Sequence, residues 1–383
     1  MTLRTIYDRP EHDDLRAQVA RFIEREVEPQ ALAWDEQGHT PREVLRKMGA
    51  LGWLGLMHPA ERGGAGADML TNVVWQEALS RSTSGGFIIT VLVHTDMASP
   101  HLVNAGTEEQ KARWLPAICR GECITAVAVS EPDAGSDVAS IRTRAVKDGD
   151  HYVLNGSKLF ITNGVLADLY FVAAKTDPQA KGSRGISIFA VEKGTPGFRV
   201  GRALKKQGWL ASDTAELVFE DCRVPAANML GEENGGFYAV MKNFQVERIA
   251  LGSMAIGHCL TALDLTHHYV NQRRAFGAPL WDKQAIRQKL AMLAAQVEAA
   301  RAFLYQCAWQ VDQGQDVVRE VSMLKALTGE LVNDVMYACQ QFHGGMGYMR
   351  ETPIERLVRD ARVLAIGGGA TEVMLEEVAK RWR

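Results

Sequence analysis

Apolar residues recur every three to four positions in the first third of the chain and again after residue 236. Between these stretches the spacing falls towards two. Residues 13–27 place Leu15, Val19, Phe22 and Ile23 on one face with charges opposite, and Pro29 is expected to close that helix. Residues 41–51 repeat the pattern with Val44, Leu45 and Met48 inward. A loop follows at Gly63-Gly64-Ala65-Gly66, then helices over 69–80 and 107–118, the second opened by Thr107 and Gln110 as a capping box. From 124 to 219 short runs alternate, as in Tyr152-Val153-Leu154, Leu169-Tyr170-Phe171-Val172, Ile186-Ser187-Ile188-Phe189 and Glu216-Leu217-Val218-Phe219. Turn signals at Asp148-Gly149, Asn155-Gly156, Asp177-Pro178 and Gly194-Thr195-Pro196-Gly197 separate them, which predicts a small sandwich or barrel. Long amphipathic runs over 237–271, 283–313 and 316–341 predict a helical bundle. The expected organisation is an α+β chain of three domains: helical 1–121, β-rich 122–232 and a helical bundle 233–383. A doubly wound dinucleotide fold would alternate strand and helix throughout, and this chain does not.

Bulk properties narrow the function. With 383 residues the chain exceeds one core. A formal net charge of -3 gives no basic excess for nucleic acid or an anionic membrane surface. The apolar run 87–93 is too short to cross a bilayer, so no membrane span is expected, and the N-terminus has no signal-peptide core. Six cysteines without a CxxC pair read as small core side chains in a reducing, cytoplasmic setting. His343, His94 and His101 have no metal-ligand spacing, and His267-His268 is expected to split between core and solvent. G-x-G-x-x-G, P-loop, H-E-x-x-H and G-x-S-x-G motifs are absent.

Two loops carry the first chemical signal. Ser130-Glu131-Pro132-Asp133-Ala134-Gly135-Ser136-Asp137 follows a strand-like run ending at Val129. Lys158-Leu159-Phe160-Ile161-Thr162-Asn163-Gly164 lies about twenty-five residues on. Alone, Ser130 and Thr162 could simply cap turns. Three further motifs follow in order: Leu230-Gly231-Glu232-Glu233-Asn234-Gly235-Gly236-Phe237, Gln272-Arg273-Arg274-Ala275-Phe276-Gly277 and His343-Gly344-Gly345-Met346-Gly347-Tyr348. Together with the α-β-α order they resemble the acyl-CoA dehydrogenases over nearly the whole chain. The resemblance implies the acyl-CoA dehydrogenase fold, with a helical N-terminal domain, a barrel-like middle domain and a C-terminal four-helix bundle. It implies FAD held by Val129, Ser130, Phe160, Thr162 and Thr371, and by Arg273, Phe276, Gln341 and Gly345 reaching from a neighbouring subunit of a homotetramer, a dimer of dimers. Ser136 would lie by the pantetheine arm of an acyl-CoA, with Arg248 and Gly368 also at the substrate. Electron-transfer flavoprotein is the implied acceptor and fatty acid β-oxidation the implied setting.

Oxidising an acyl thioester between Cα and Cβ requires a base for the α-proton while flavin N5 accepts the β-hydride. Many relatives carry that base in a Tyr-Glu-Gly-Thr loop. The matching segment here is Ile366-Gly367-Gly368-Gly369-Ala370-Thr371-Glu372, with glycine at the base position and alanine where a threonine usually contacts FAD. The long-chain and isovaleryl-type enzymes place the base on an earlier helix, in a Glu-Arg pair, and this chain has Glu247-Arg248. The resemblance therefore assigns the base to Glu247; the bland alternative is a surface ion pair. Glu372 is the nearest rival but falls at a helix start, where a carboxylate favours the positive helix end. Other functions still open are an oxygen-using acyl-CoA oxidase or related flavin monooxygenase, a non-catalytic protein with the same fold, and a β-rich binding module without flavin.

Overall fold

The structure is a computed structural model and describes residues 4–180 and 184–382. Seven helices come first: α1 (Pro10–Phe22), α2 (Ala31–Gln37), α3 (Arg42–Ala50), α4 (Met69–Leu79), α5 (Gly85–Leu92), α6 (Ser99–Ala105) and α7 (Glu108–Cys119). Thr107 and Gln110 form the expected reciprocal cap of α7. Pro29 does not end the first helix region. The chain passes from α1 through a π-helical turn, Ile23–Val27, into a 3-10 turn, Glu28–Gln30, and on into α2. Pro29 sits in the first turn of the 3-10 segment, where its missing N–H is no loss.

The 87–93 run fills α5 from Phe87 and ends on the first residue of the π-helical turn, Val93–Ala98, that carries the buried helix on into α6. Two stretches, Gly85–Ala105 and Gly236–Gln272, are long and apolar enough to cross a membrane by length and composition, which corrects the expectation from the short run alone. Most residues in each apolar window are buried inside the protein, so these side chains already serve its core.

Eight strands form one sheet: β1 (Thr125–Ala128), β2 (Arg144–Asp148), β3 (His151–Thr162), β4 (Leu169–Lys175), β5 (Ile186–Glu192), β6 (Phe198–Ala203), β7 (Thr214–Pro225) and β8 (Met229–Leu230). Their order is β6-β7-β3-β2-β4-β5-β8, with β1 parallel to β4. Strands β4 and β5 are apolar at nearly every position because both faces are covered. Tyr170, Val172, Phe189 and Val191 face the core of the β region. Leu169, Phe171, Ile186 and Ile188 face a second core shared with Leu102 of α6 and Trp114 and Leu115 of α7.

The last part comprises α8 (Gly236–Gln272), α9 (Gln284–Asp312), α10 (Val318–His343), α11 (Pro353–Ala361) and α12 (Thr371–Lys380). Helix α10 packs against all four others. The first and last helical regions share one core, in which Val73, Trp75 and Phe87 join Met254, Leu304 and Val332. His267 and His268 are both exposed, so the expected split between core and solvent is corrected; the His267 ring meets the edge of Trp281 at 4.8 Å.

Candidate active site

The loop after β1 and the end of β3 are tied together by backbone and by one buried lysine. Leu159 N donates to Ser130 O at 2.9 Å, and Lys158 Nζ donates to Val129 O at 3.0 Å and Glu131 Oε1 at 2.8 Å. The Glu131 carboxylate also accepts from Thr143 N at 2.9 Å and Arg142 N at 2.6 Å. Burial alone would raise its pKa; Lys158 and these donors outweigh that and hold it below the usual carboxylate value. This clamp fixes the loop from behind. In front, the pairing of β3 with β7 breaks register between Lys158 and Ile161, and Phe160 takes φ 63. Such a backbone is an outlier for an aromatic residue. It turns the ring outward, leaving it 66% exposed. Ser130 and Thr162 lie beside it half-buried, and neither hydroxyl has a hydrogen-bond partner among the described residues, so neither caps a turn. An uncovered aromatic face with unpaired hydroxyls at its border fits a flat, polar heterocycle.

Arg273, Phe276, Gln341 and Gly345 lie away from this chain's own packing. Arg273 is the C-terminal cap of α8, and the hairpin after it carries Phe276 at its tip, 97% exposed with φ 53. Gln341 and Gly345 are exposed at the end of α10. The two helix ends meet where the Tyr269 ring stacks on buried His343 at 4.4 Å and the Tyr269 hydroxyl donates to His343 O at 3.2 Å. Ser136 is exposed in its loop.

Glu247 projects from α8 towards the loop that precedes α12. A Cβ placed on Gly368 would lie 3.4 Å from Glu247 Oε1 and 2.1 Å from Leu251 Cδ1. The space that a side chain at 368 would fill is thus taken by two α8 residues one turn apart. Gly368 has φ 64, a conformation glycine adopts without strain. Glu247 accepts no hydrogen bond among the described residues. Burial pushes its pKa up to about 7, against the opposing charges of Arg248 and Lys325. The residue keeps some solvent contact, yet protein atoms surround the carboxyl closely enough for desolvation to dominate. Arg248 is buried beside it, with Nη1 3.4 Å from Ser322 Oγ, Nε unpartnered and its guanidinium 5.7 Å from the Phe244 ring centre. Thr371 is the first residue of α12, and its hydroxyl donates to Glu330 Oε1 at 2.7 Å. Glu372 is exposed in that helix's first turn.

The arrangement can hold a planar ring on one element and present a poised, unpaired carboxyl on another. Among the described residues no cluster of metal-ligating side chains exists. Sequence reasoning missed the Lys158–Glu131 clamp, Leu251 and Lys325. A lysine at an inward position of an alternating strand was the available signal for the first.

Models of the acyl-CoA dehydrogenase N-terminal, middle and C-terminal domains match residues 9–122, 126–222 and 234–382. The class is therefore an oxidoreductase with a flavoprotein fold. The chain is 43% identical over 374 residues to mouse (Mus musculus) mitochondrial long-chain specific acyl-CoA dehydrogenase, covering 97% of this chain and 86% of that one. It is 39% identical over 366 residues to mitochondrial isovaleryl-CoA dehydrogenase of Pongo abelii, covering 95% and 86%. The crystal structure of acyl-CoA dehydrogenase from Geobacillus kaustophilus superposes with a TM-score of 0.95 at 43% identity, covering 99% and 100%. The chain belongs to the acyl-CoA dehydrogenase family, FAD-dependent enzymes that dehydrogenate acyl-CoA.

Proposed function

We propose that this enzyme converts a saturated acyl-CoA thioester to its trans-2-enoyl-CoA with Glu247 as the base. The supporting observation is the 3.4 Å approach of Glu247 Oε1 to the position a Gly368 side chain would take. The carboxyl reaches from α8 to the place where many relatives carry their base. A pKa near 7 keeps a substantial fraction ionised at neutral pH while leaving it basic enough to take a weakly acidic α-proton. Ser130, Thr162 and the Val129 backbone would hold the FAD ring from one side, with Phe160 against its face. When bound, FAD supplies the two-electron acceptor for the hydride lost from Cβ. Ser136 would lie by the pantetheine arm, Arg248 and the Gly368 backbone would lie at the substrate, and the absent side chain at Gly368 leaves room for the Glu247 carboxyl.

Arg273, Phe276, Gln341 and Gly345 would complete the cofactor site of a neighbouring copy. The exposed rings of Phe276, Tyr337 and Tyr348 on that end of the molecule support a homotetramer in which they are covered. Electron-transfer flavoprotein is the acceptor we propose, and the cytoplasm the compartment; all six cysteines are free. The deciding experiment is an anaerobic titration of the yellow holoenzyme with saturated acyl-CoAs from C4 to C16 and branched forms. Bleaching of the flavin band by some of these thioesters is expected. No bleaching by any of them would overturn the reading, and peroxide release in air without an added acceptor would make the enzyme an oxidase instead.

A further inference from the structure

Lys325 lies in α10, outside every motif, and is 1% exposed. Its ammonium bonds backbone carbonyls rather than a carboxylate. Nζ donates to Leu364 O at 2.7 Å and to Gly369 O at 3.0 Å. Those two carbonyls bracket Ala365-Ile366-Gly367-Gly368, the stretch whose Gly368 faces Glu247. Gly368 and Gly369 have φ 64 and φ 107; Gly367 N closes the preceding turn on Val363 O at 2.8 Å, and Gly368 and Gly369 beyond it lie outside strand and helix. A run of glycines is the costliest kind of segment to order, because each loses the most backbone freedom. The two lysine bonds fasten both of its ends to α10. Helix α10 in turn packs along α8, which carries Glu247 and Leu251.

We infer that Lys325 is a positioning residue for proton abstraction: its buried ammonium fixes the glycine loop to α10 and so sets where Gly368 lies relative to the Glu247 carboxylate. The inference rests on Glu247 being the base. It deepens that reading by naming the group that fixes the base's surroundings.

The charge has a second effect. The groups acting on Glu247 are Arg248 on its own helix and Lys325 on α10, both favouring the carboxylate. Glu377 and Arg381, of and just after α12, act on Arg248, and Glu330 of α10 acts on Lys325. The loop itself presents no titratable side chain between Ile366 and Thr371. Burial pushes Lys325 down to about 8, so it is largely charged at neutral pH. Removing it leaves Arg248 alone to oppose desolvation of the base.

The test uses FAD-loaded enzyme and follows anaerobic flavin reduction by a saturated acyl-CoA from pH 5.5 to 9.5. Lys325→Met keeps the length and loses donors and charge. Its acid limb should move about one unit to alkaline pH, as loss of a nearby cation predicts. Its limiting rate at high pH should fall about tenfold or more through misplacement of the loop. Binding of acyl-CoA should change far less than the rate. Lys325→Arg should keep the acid limb and recover part of the limiting rate. A Met variant with lower thermal stability but a parental limb and limiting rate in its yellow, folded fraction would overturn the inference, because the lysine would then serve only folding. Should that variant not fold, Lys325→Gln, which keeps a donor without the charge, is expected to shift the limb while Lys325→Arg does not. Equal limbs in those two would also overturn it. Glu247→Gln, measured alongside, separates the two claims: parental reduction there sinks the base assignment, whereas an inactive Glu247→Gln with an unaltered Lys325→Met sinks only the role of Lys325.

Discussion

Replacing Glu247 by glutamine should slow the enzyme and at the same time strengthen the fold. Gln has nearly the same shape and cannot accept the α-proton. Loss of a positioned general base costs about 10²- to 10⁴-fold in flavin reduction. The stability effect follows from the displaced titration. Burial raises the carboxyl from 4.5 to about 7, a difference of 2.5 units, which corresponds to about 3 kcal/mol against the charged form. Residual solvent contact reduces that, so about 1–3 kcal/mol is the expected range. A raised acid pKa means that the stability associated with the neutral form is complete below pH 4.5 and lost as pH rises through 7. The glutamine variant escapes this loss. It should therefore melt higher than the parent at pH 8 and together with it at pH 4.5. Stopped-flow bleaching and thermal melts of the holoenzyme at the two pH values measure both effects. A variant that bleaches at the parental rate, or that melts like the parent at pH 8, would refute the reasoning.

Gly368→Ala is expected to destabilise by more than 1 kcal/mol, because the backbone is left-handed there and the new methyl meets Leu251 Cδ1 at 2.1 Å; a melting temperature equal to the parent's would contradict this. For the same reason Gly368→Glu in the Glu247→Gln background should recover more flavin reduction when Leu251→Ala is added, and equal rates with and without that change would show that Leu251 does not occupy the space. Lys158→Met leaves the buried Glu131 carboxylate without its cation and should cost about 3–5 kcal/mol and loosen FAD retention; ultrafiltration that releases no more FAD than from the parent would count against the clamp. His58, His94, His101 and His258 are held at about 4 by burial. The unfolded chain takes up those protons first, so stability is complete above pH 6.5 and should fall between 6.5 and 4, by up to about 5 kcal/mol per pH unit if all four contribute; denaturant midpoints that agree at pH 7.5 and 5 would exclude it.

The long helices α8, α9 and α10 were legible because a 3.6-residue period sustained over seven or more turns has no other reading. The first helix was misjudged at its end, since a proline inside a helical pattern looks like a stop and here opens a 3-10 turn. Strands β4 and β5, read as alternating runs, are instead apolar at nearly every position, because each face meets a different core. The Ser130 and Phe160 loops were visible as local motifs. That Lys158 and Glu131, both inside those motifs, pair behind the loop was not. Lys325 reads from sequence as one polar position on an amphipathic helix, and nothing local says that it points at carbonyls forty residues later. The contact of Leu251 with the space over Gly368 joins distant segments of chain, which no window can show.

The core that unites the two helical ends has a consequence for biosynthesis. Helix α4 packs against α8 and α9, so the first third of the chain leaves the ribosome before its permanent neighbours exist. Trp75, Val73 and Phe87 must wait, solvated or sheltered by a chaperone, until the last helices are translated. The β region can close its own core earlier. Translation order and folding order therefore part company in this protein, and a copy cut short before α8 would be left with an apolar wall and nothing to set against it.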